Sequence, residues 1–259
     1  MLRAERQAKI LQMVRDKSFI ESDELIRLFE TSHVTIRRDL VNLADQGLIR
    51  LEHGGATSIN YPEGIPEPLY ETKLYFRADE KSAIAKHALA LIKDGDILFL
   101  DSGTTNFRLA AALKGTKLGK LTIITTDLMV AKELSGQPKI ETILLGGILR
   151  TSFYNVYGPY TEMVLGNLKA NKFFLGFDGA SIKRGPSNTV LEEVPIKQKM
   201  IIGSDETIAL ADSTKFGVDA PYSICGWDRV NRVITDNSVN QQYRDYFKEH
   251  GIDLMLAAV

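Results

Sequence analysis

Apolar residues recur along this chain in two rhythms. Over the first sixty residues they return every three or four positions, the spacing of one buried helical face. Ile10, Leu11 and Val14 fall on one side of the segment Arg6 to Lys17. Ser22 to Phe29 reads as a short helix, with Ser22 as its cap, acidic Asp23 and Glu24 in its first turn, and Leu25 and Phe29 paired at i and i+4. A third helix runs from the cap Ser32 to Gly47, a residue suited to the position just past a helix end. Ile36, Leu40 and Leu43 form its buried stripe, which turns Val34, Thr35, Arg37, Arg38 and Asn42 toward solvent. Leu48, Ile49 and Leu51 then interleave with Arg50 and Glu52 before the turn His53-Gly54-Gly55, and Ala56 to Ile59 follow, the pattern of a β-hairpin. Three helices and a hairpin predict a winged helix-turn-helix.

On the third helix the exposed face carries both arginines. A guanidinium is a planar fork of donors that straddles a guanine edge or grips a phosphate, while Thr35 and Val34 suit a phosphate and a thymine methyl. The string Thr35-Ile36-Arg37-Arg38-Asp39-Leu40, then Gly47-Leu48-Ile49 and His53-Gly54-Gly55-Ala56, resembles the N-terminal signature of the DeoR family of bacterial transcription regulators. That resemblance implies contacts to a double-stranded DNA operator from the recognition helix and the wing. On this chain they fall on Ser32, His33, Val34, Thr35, Arg37, Arg38, His53 and Gly54. His33 and Thr31 depart from the family's usual residues, which leaves the operator sequence open.

From Asn60 to Tyr75 the composition changes, and Pro62, Pro66 and Pro68 favour extended backbone. This places a winged-helix domain at 1–58, a linker at 59–76 and a second domain at 77–259. In the second domain the rhythm becomes short apolar runs separated by helical stretches. A helix at Asp79 to Ile92 leads into Ile97 to Leu100, and a helix over Phe107 to Leu113 follows. Further strands are expected at Leu121 to Thr125, Ile140 to Leu145, Lys172 to Phe177, Thr207 to Ala211, Arg229 to Thr235 and Ile252 to Leu256. The fold class is α/β: a doubly wound, mainly parallel sheet with a smaller N-terminal winged helix-turn-helix domain.

Small or polar residues follow each run: Asp101-Ser102-Gly103-Thr104-Thr105, Thr126-Asp127, Gly146-Gly147, Asp178-Gly179-Ala180, Asp212-Ser213 and Asp236. Such residues are ordinary turn formers. Their recurrence at the carboxyl edge, where open α/β sheets hold ligands, points to a binding site. Ser102 to Thr105 would set amides and hydroxyls at a helix N-terminus, ready for an anion such as phosphate. Arg77, Glu80-Lys81, Asp101 to Thr105, Gly146-Gly147, Arg150, Gly158, Asp178-Gly179, Glu193, Lys197 and Asp212 to Gly217 are similar to the same family's sensor domain, so the resemblance spans nearly the whole chain. It implies a phosphorylated sugar effector, a repressor of a carbohydrate-use operon and a fold like that of sugar-phosphate isomerases. Carried over, Ser102, Gly103, Thr104 and Thr105 would hold phosphate, with Arg150, Lys197 and Lys215 as charge partners. Asp101, Asp178 and Glu193 would accept sugar hydroxyls, and Thr126, Gly147 and Gly179 would complete the site. Glu193-Val194-Pro195 departs from the family pattern, so the identity of the effector does not transfer.

Composition adds boundaries. With 44% hydrophobic residues and one cysteine, Cys225, the chain is globular in type, has no internal disulfide and fits a reducing cytoplasm. His33, His53, His87 and His250 are scattered, and neither a metal nor a cofactor is expected. No signal peptide or membrane span is legible. The net charge is −1, and residues 1–60 hold nine basic and nine acidic side chains, so a single head should bind DNA weakly. A homodimer or homotetramer is therefore expected. The rival reading is a sugar-phosphate isomerase carrying an extra head. Against it, Ser181 follows Asp178-Gly179-Ala180 where a second acid would serve as base. A kinase or nucleotide hydrolase fits less well still, since Ser102 to Thr105 lacks the lysine and spacing of a phosphate loop.

Overall fold

The computed structural model describes residues 1–59 and 66–259, which form two compact units, Met1–Ala78 and Asp79–Val259. Pro62 of the expected linker lies outside the described residues.

In the first unit, α1 (Arg3–Lys17) is followed by β1 (Phe19–Glu21), α2 (Ser22–Phe29), α3 (His33–Asp45), β2 (Arg50–Glu52) and β3 (Gly55–Thr57). The strands form an antiparallel sheet in the order β1-β3-β2. Ile10, Leu11, Val14, Leu25, Ile36, Leu40 and Leu43 close its core, so the helical periodicity chose the buried faces correctly. Burying each such side chain stabilises the fold by roughly 2 kcal/mol. Two details differ from expectation. Ser22 is the first helical residue rather than the cap; Glu21 holds the cap position, and the Ser22 amide is spent on the Gly54 carbonyl at 2.8 Å. Residues 70–75, expected as extended linker, form α4 (Tyr70–Tyr75), which packs on α1. The prolines end before it, and Tyr70 and Phe76 bring apolar area that is stable only when buried. The Arg15 guanidinium covers the Phe76 ring at 5.1 Å from its centroid.

The second unit begins with α5 (Ala78–Leu89) and β4 (Ile97–Leu100), then α6 (Thr104–Leu113), β5 (Leu121–Thr125), α7 (Leu128–Leu134) and β6 (Ile140–Leu144). A hairpin of β7 (Ile148–Arg150) and β8 (Asn155–Tyr157) leads to α8 (Pro159–Leu165) and β9 (Ala170–Leu175). After β10 (Gly179–Ser181) and β11 (Gly185–Asn188) come α9 (Val194–Ile202), β12 (Ser204–Leu210), β13 (Tyr222–Ser223), β14 (Arg232–Asp236), α10 (Gln241–Glu249) and β15 (Asp253–Ala257). Seven strands make one sheet in the order β15-β14-β12-β9-β4-β5-β6, and every pairing in it is parallel. Neighbouring residues on a strand face opposite ways, so Phe173 enters one core and Phe174 the other. Residues of α5, α6 and α7 cover one face, and those of α8, α9 and α10 the other. This is a doubly wound sheet. All seven expected strands are present; the hairpin β7–β8 and the small antiparallel sheet β10-β11-β13 were not anticipated.

Strand order locates the ligand edge. From β4 the chain lays down β5 and β6 on one side, then returns to place β9, β12, β14 and β15 on the other. The order therefore reverses between β4 and β9, and a crevice opens outside their carboxyl ends.

Candidate functional site

In the first unit Ser32 caps α3, accepting from the Thr35 amide at 3.3 Å, and its hydroxyl lies 3.0 Å from that of Thr35. His33, Val34, Arg37 and Arg38 are exposed, and neither arginine has a protein partner among the described residues. Val34 is 58% exposed, an apolar tip with nothing of this unit to cover it. One groove beside the helix is lined by Arg3, Arg6, Arg37 and Arg38, and another by His33, Arg37, His53 and Gly54. The structure thus brings the expected DNA-facing residues to one surface. What the sequence reading missed is the post behind them. Asp39, 1% exposed, accepts from Arg6 Nε at 2.5 Å and Gln7 Nε2 at 3.0 Å, fixing α3 to α1. Its signal was its place on the stripe of Ile36, Leu40 and Leu43, where a carboxylate is out of keeping unless paired.

In the second unit the crevice between β4 and β9 holds a polar cluster. Lys197, on α9, donates to Asp101 Oδ2 at 2.6 Å and to the Gly176 carbonyl at 3.1 Å. The Gly176 amide returns to Asp101 Oδ2 at 2.9 Å, and the Ser102 amide binds Asp101 Oδ1 at 2.9 Å. Burial opposes the charge on Lys197, but Asp101, Glu193 and Asp178 around it outweigh that and hold it protonated. Beside this pair, Glu193 accepts from Arg150 Nη1 at 2.7 Å, Asn155 Nδ2 at 2.8 Å and Asn188 Nδ2 at 2.9 Å. Burial works against its ionisation too; Lys197 and Arg150 prevail and keep the carboxyl below its ordinary range.

The loop expected to cradle an anion is partly used by the protein itself. The Ser102 amide serves Asp101, and the Gly103 amide serves Asp127 Oδ2 at 2.9 Å, so the open donors are those of the first turn of α6, beginning at Thr104 and Thr105. Gly103 has φ +124°, a conformation other residues resist, and nothing lies within 4 Å of where a β-carbon would stand. Asp127 caps α7, accepting from the Met129 and Val130 amides at 2.7 and 3.0 Å, and burial pushes its carboxyl up to about 6 against those bonds.

The remaining expected residues divide. Asp178 Oδ2 accepts from the Thr189 amide at 3.0 Å and its hydroxyl at 2.7 Å. Thr126 contributes its carbonyl, which takes the Val156 amide at 3.0 Å. Gly147 has no room for a side chain, because a β-carbon there would meet Thr161 Oγ1 at 2.3 Å. Gly179 lies on β10. Lys215 acts on Asp212, just past the end of β12. Burial there is offset first by Lys81 and then by Lys215, which hold the Asp212 carboxyl down. Asn155 and Asn188 went unread because the hairpin and the small sheet that position them have no periodic signature. Asn155 is 2% exposed, and its Oδ1 has no partner. Its amide cannot simply be turned over, since Nδ2 is required by the Glu193 carboxylate.

Among the described residues no helix is long and apolar enough to cross a membrane, and no three His, Cys, Asp or Glu side chains gather as a metal site.

Known proteins share the sequence pattern of both units. The pattern of the DeoR-like helix-turn-helix domain matches residues 6–61, and that of the DeoR C terminal sensor domain matches residues 77–237. The HTH-type transcriptional regulator GolR of Listeria innocua is 32% identical over 98% of this chain and 98% of its own length. The lactose phosphotransferase system repressor of Lactococcus lactis is 34% identical over 96% of this chain and 97% of its own. Among solved structures, ribose 5-phosphate isomerase A from Methanocaldococcus jannaschii is similar at 19% identity with a TM-score of 0.39, covering 54% of this chain and 55% of that one. With both halves matched in order and relatives aligned end to end, the chain belongs to the DeoR family of helix-turn-helix transcription regulators.

Proposed function

We propose that this protein is a repressor of a carbohydrate-use operon whose hold on its operator is set by a phosphorylated sugar. Residues 1–58 read the DNA and residues 77–259 sense the effector. One observation carries the reading: the polar groups of the sensor converge at the reversal point between β4 and β9, where the first turn of α6 leaves amide donors open and Asn155 an unused acceptor beside the Lys197–Asp101 and Arg150–Glu193 pairs. A phosphate suits the helix end and a sugar hydroxyl suits Asn155. The relative named as a lactose phosphotransferase system repressor supports the same class of signal.

The cluster is better suited to binding than to turnover. Isomerisation needs a positioned carboxylate as base, and Ser181 follows Asp178-Gly179-Ala180 where the second acid of a sugar-phosphate isomerase site would stand. The test is binding of the full chain to DNA upstream of its own gene cluster, at fixed salt, with and without a panel of sugar phosphates. A site-specific affinity shifted by one compound, with that compound recovered unchanged, is the expected result. Conversion of the compound, or no specific binding to any of that DNA, would overturn the reading.

A further inference from the structure

The acids around the crevice are not neutralised alike. Lys197 lies 2.6 Å from Asp101 and Arg150 lies 2.7 Å from Glu193, so each of those carboxylates meets a cation. Asp127 is 0% exposed and bonds no cation among the described residues. Its three donors are backbone amides: Met129 and Val130 reach Oδ1 at 2.7 and 3.0 Å, and Gly103 reaches Oδ2 at 2.9 Å. The two oxygens therefore differ. Oδ1 caps α7 with two bonds, while Oδ2 faces the loop before α6 and accepts one. The main chain fixes the residue there. Its amide binds Thr125 Oγ1 at 3.0 Å, its backbone bridges to Asn155, and the neighbouring Thr126 and Leu128 bond Val156 and Tyr154 of the β7–β8 hairpin.

That loop is where the reading above seats a phosphate, and the inference that follows rests on that reading. The open amides of α6 begin one residue past Gly103, and there is room beside Gly103 where a β-carbon would stand. An anion there joins a wall already holding Asp101 and Asp127, whose oxygens occupy the Ser102 and Gly103 amides. Like charges so placed favour protonation of one of them, and the acid without a cation is the one that yields. We infer that the effector's anionic group binds together with one proton, received on Asp127 Oδ2. No covalent bond of the ligand changes. The proton comes from solvent, Oδ1 remains the acceptor that caps α7, and Oδ2 becomes a neutral O–H beside the loop instead of a rival anion.

The surroundings of Asp127 favour this. Burial, the largest influence, pushes its carboxyl up to about 6; the three amide bonds oppose that and the Asp101 charge adds to it. β5, β8 and the first turns of α6 and α7 bring no charged side chain against it. The charged groups facing it are Asp101, past the end of β4, and, through Asn155, the Glu193–Arg150 pair. Above about pH 6 the carboxyl is ionised and gains its proton only when the anion arrives. Affinity then falls about tenfold for each unit of rising pH, until the bound form also gives up its proton; below about pH 6 the proton is already in place and affinity is level.

Sulfate is the probe that tests this, because it is a tetrahedral dianion with no proton of its own to exchange near neutrality, unlike a phosphate ester. Titration calorimetry of the full chain at fixed ionic strength, in two buffers of different ionisation enthalpy, reads the proton directly. At about pH 7 the heats should differ between the buffers as uptake of about one proton requires, and affinity should rise about tenfold per unit as the pH is lowered toward 6. Asp127→Asn keeps an acceptor for the α7 cap and has no carboxyl to protonate. With its fold verified by far-UV circular dichroism, it should give equal heats in both buffers and an affinity that does not change with pH. Wild-type heats that agree in the two buffers, or a folded Asp127→Asn that keeps the pH dependence, overturn the inference and spare the phosphate reading. Absence of sulfate binding at every pH takes the anion away from α6, and the phosphate reading falls with the inference.

Discussion

Lys197 and Asp101 lie 96 residues apart in the chain and meet at 2.6 Å. The pair pins α9 to the end of β4 across the crevice, with both side chains no more than 3% exposed. Removing one partner of such a pair strands the other charge where water cannot reach it, at a cost of about 3–5 kcal/mol. Lys197→Met is therefore expected to lower the unfolding free energy of the sensor by about that amount, and adding Asp101→Asn should restore part of it. Chemical denaturation of the wild type, the two single variants and the double variant measures the coupling. Simple additivity of the two losses would show that the pair contributes nothing as a pair.

Asn155 offers a different kind of test, because it is an acceptor without a donor. Its Oδ1 is buried and unpartnered while Nδ2 is bound by Glu193. A hydroxyl from the effector would satisfy it, and loss of such a bond costs about 1–3 kcal/mol. Asn155→Leu should weaken the effector at least about fivefold, by titration calorimetry, and leave operator affinity without effector unchanged. Equal effector affinity in the variant would remove Asn155 from the binding site.

Asp39 governs the other unit. With its carboxylate buried and held by Arg6 and Gln7, Asp39→Ala releases α3 from α1 and leaves Arg6, whose side chain is 14% exposed, without its partner. We expect a loss of about 2–3 kcal/mol in the stability of the first unit and a fall in operator affinity, although the Asp39 side chain is itself buried. Arg37→Ala, by contrast, should weaken operator binding without changing the melting temperature. Thermal unfolding and fluorescence anisotropy together distinguish support from contact.

Cys225 gives a pH-dependent readout. Burial first, then the neighbouring Asp228, pushes its thiol up to about 12, so below that pH the protonated and unreactive form prevails in the folded protein. Alkylation at pH 8 should be slow for native protein and become faster in guanidinium, where an ordinary thiol is restored. Equally rapid labelling in both states would show that the thiol is open to solvent.

How much of this was legible beforehand depends on whether a residue's role leaves a periodic trace. Ile36, Leu40 and Leu43, spaced to form one helical face, disclosed the recognition helix and thereby the outward position of Arg37 and Arg38. The strands β4, β5 and β9 were equally plain, because their stretches covered on both faces, Leu98-Phe99-Leu100, Ile123-Ile124 and Phe173-Phe174-Leu175, are apolar. Asp101 and Lys197 could be nominated from their places near strand ends and from resemblance, but not their bond, which spans long sequence distance and depends on strand order. Asn155 could not be found at all. It sits on a three-residue strand held by the loop after β5, through the Val156 amide and the Thr126 carbonyl, and so short an element has no rhythm to detect.

The placement of β9 between β4 and β12 also sets a timetable for synthesis. The first unit closes its core with no residue later than Phe76, so everything its hydrophobic interior requires has been translated within the first third of the chain. The sensor must wait. Its central pairing joins Leu98 to Lys172, and its crevice is incomplete until Lys197 has left the ribosome. Contacts so distant in sequence form slowly, whereas those of the head are local. A nascent or truncated chain thus reaches a formed head well before it has any means of hearing its signal.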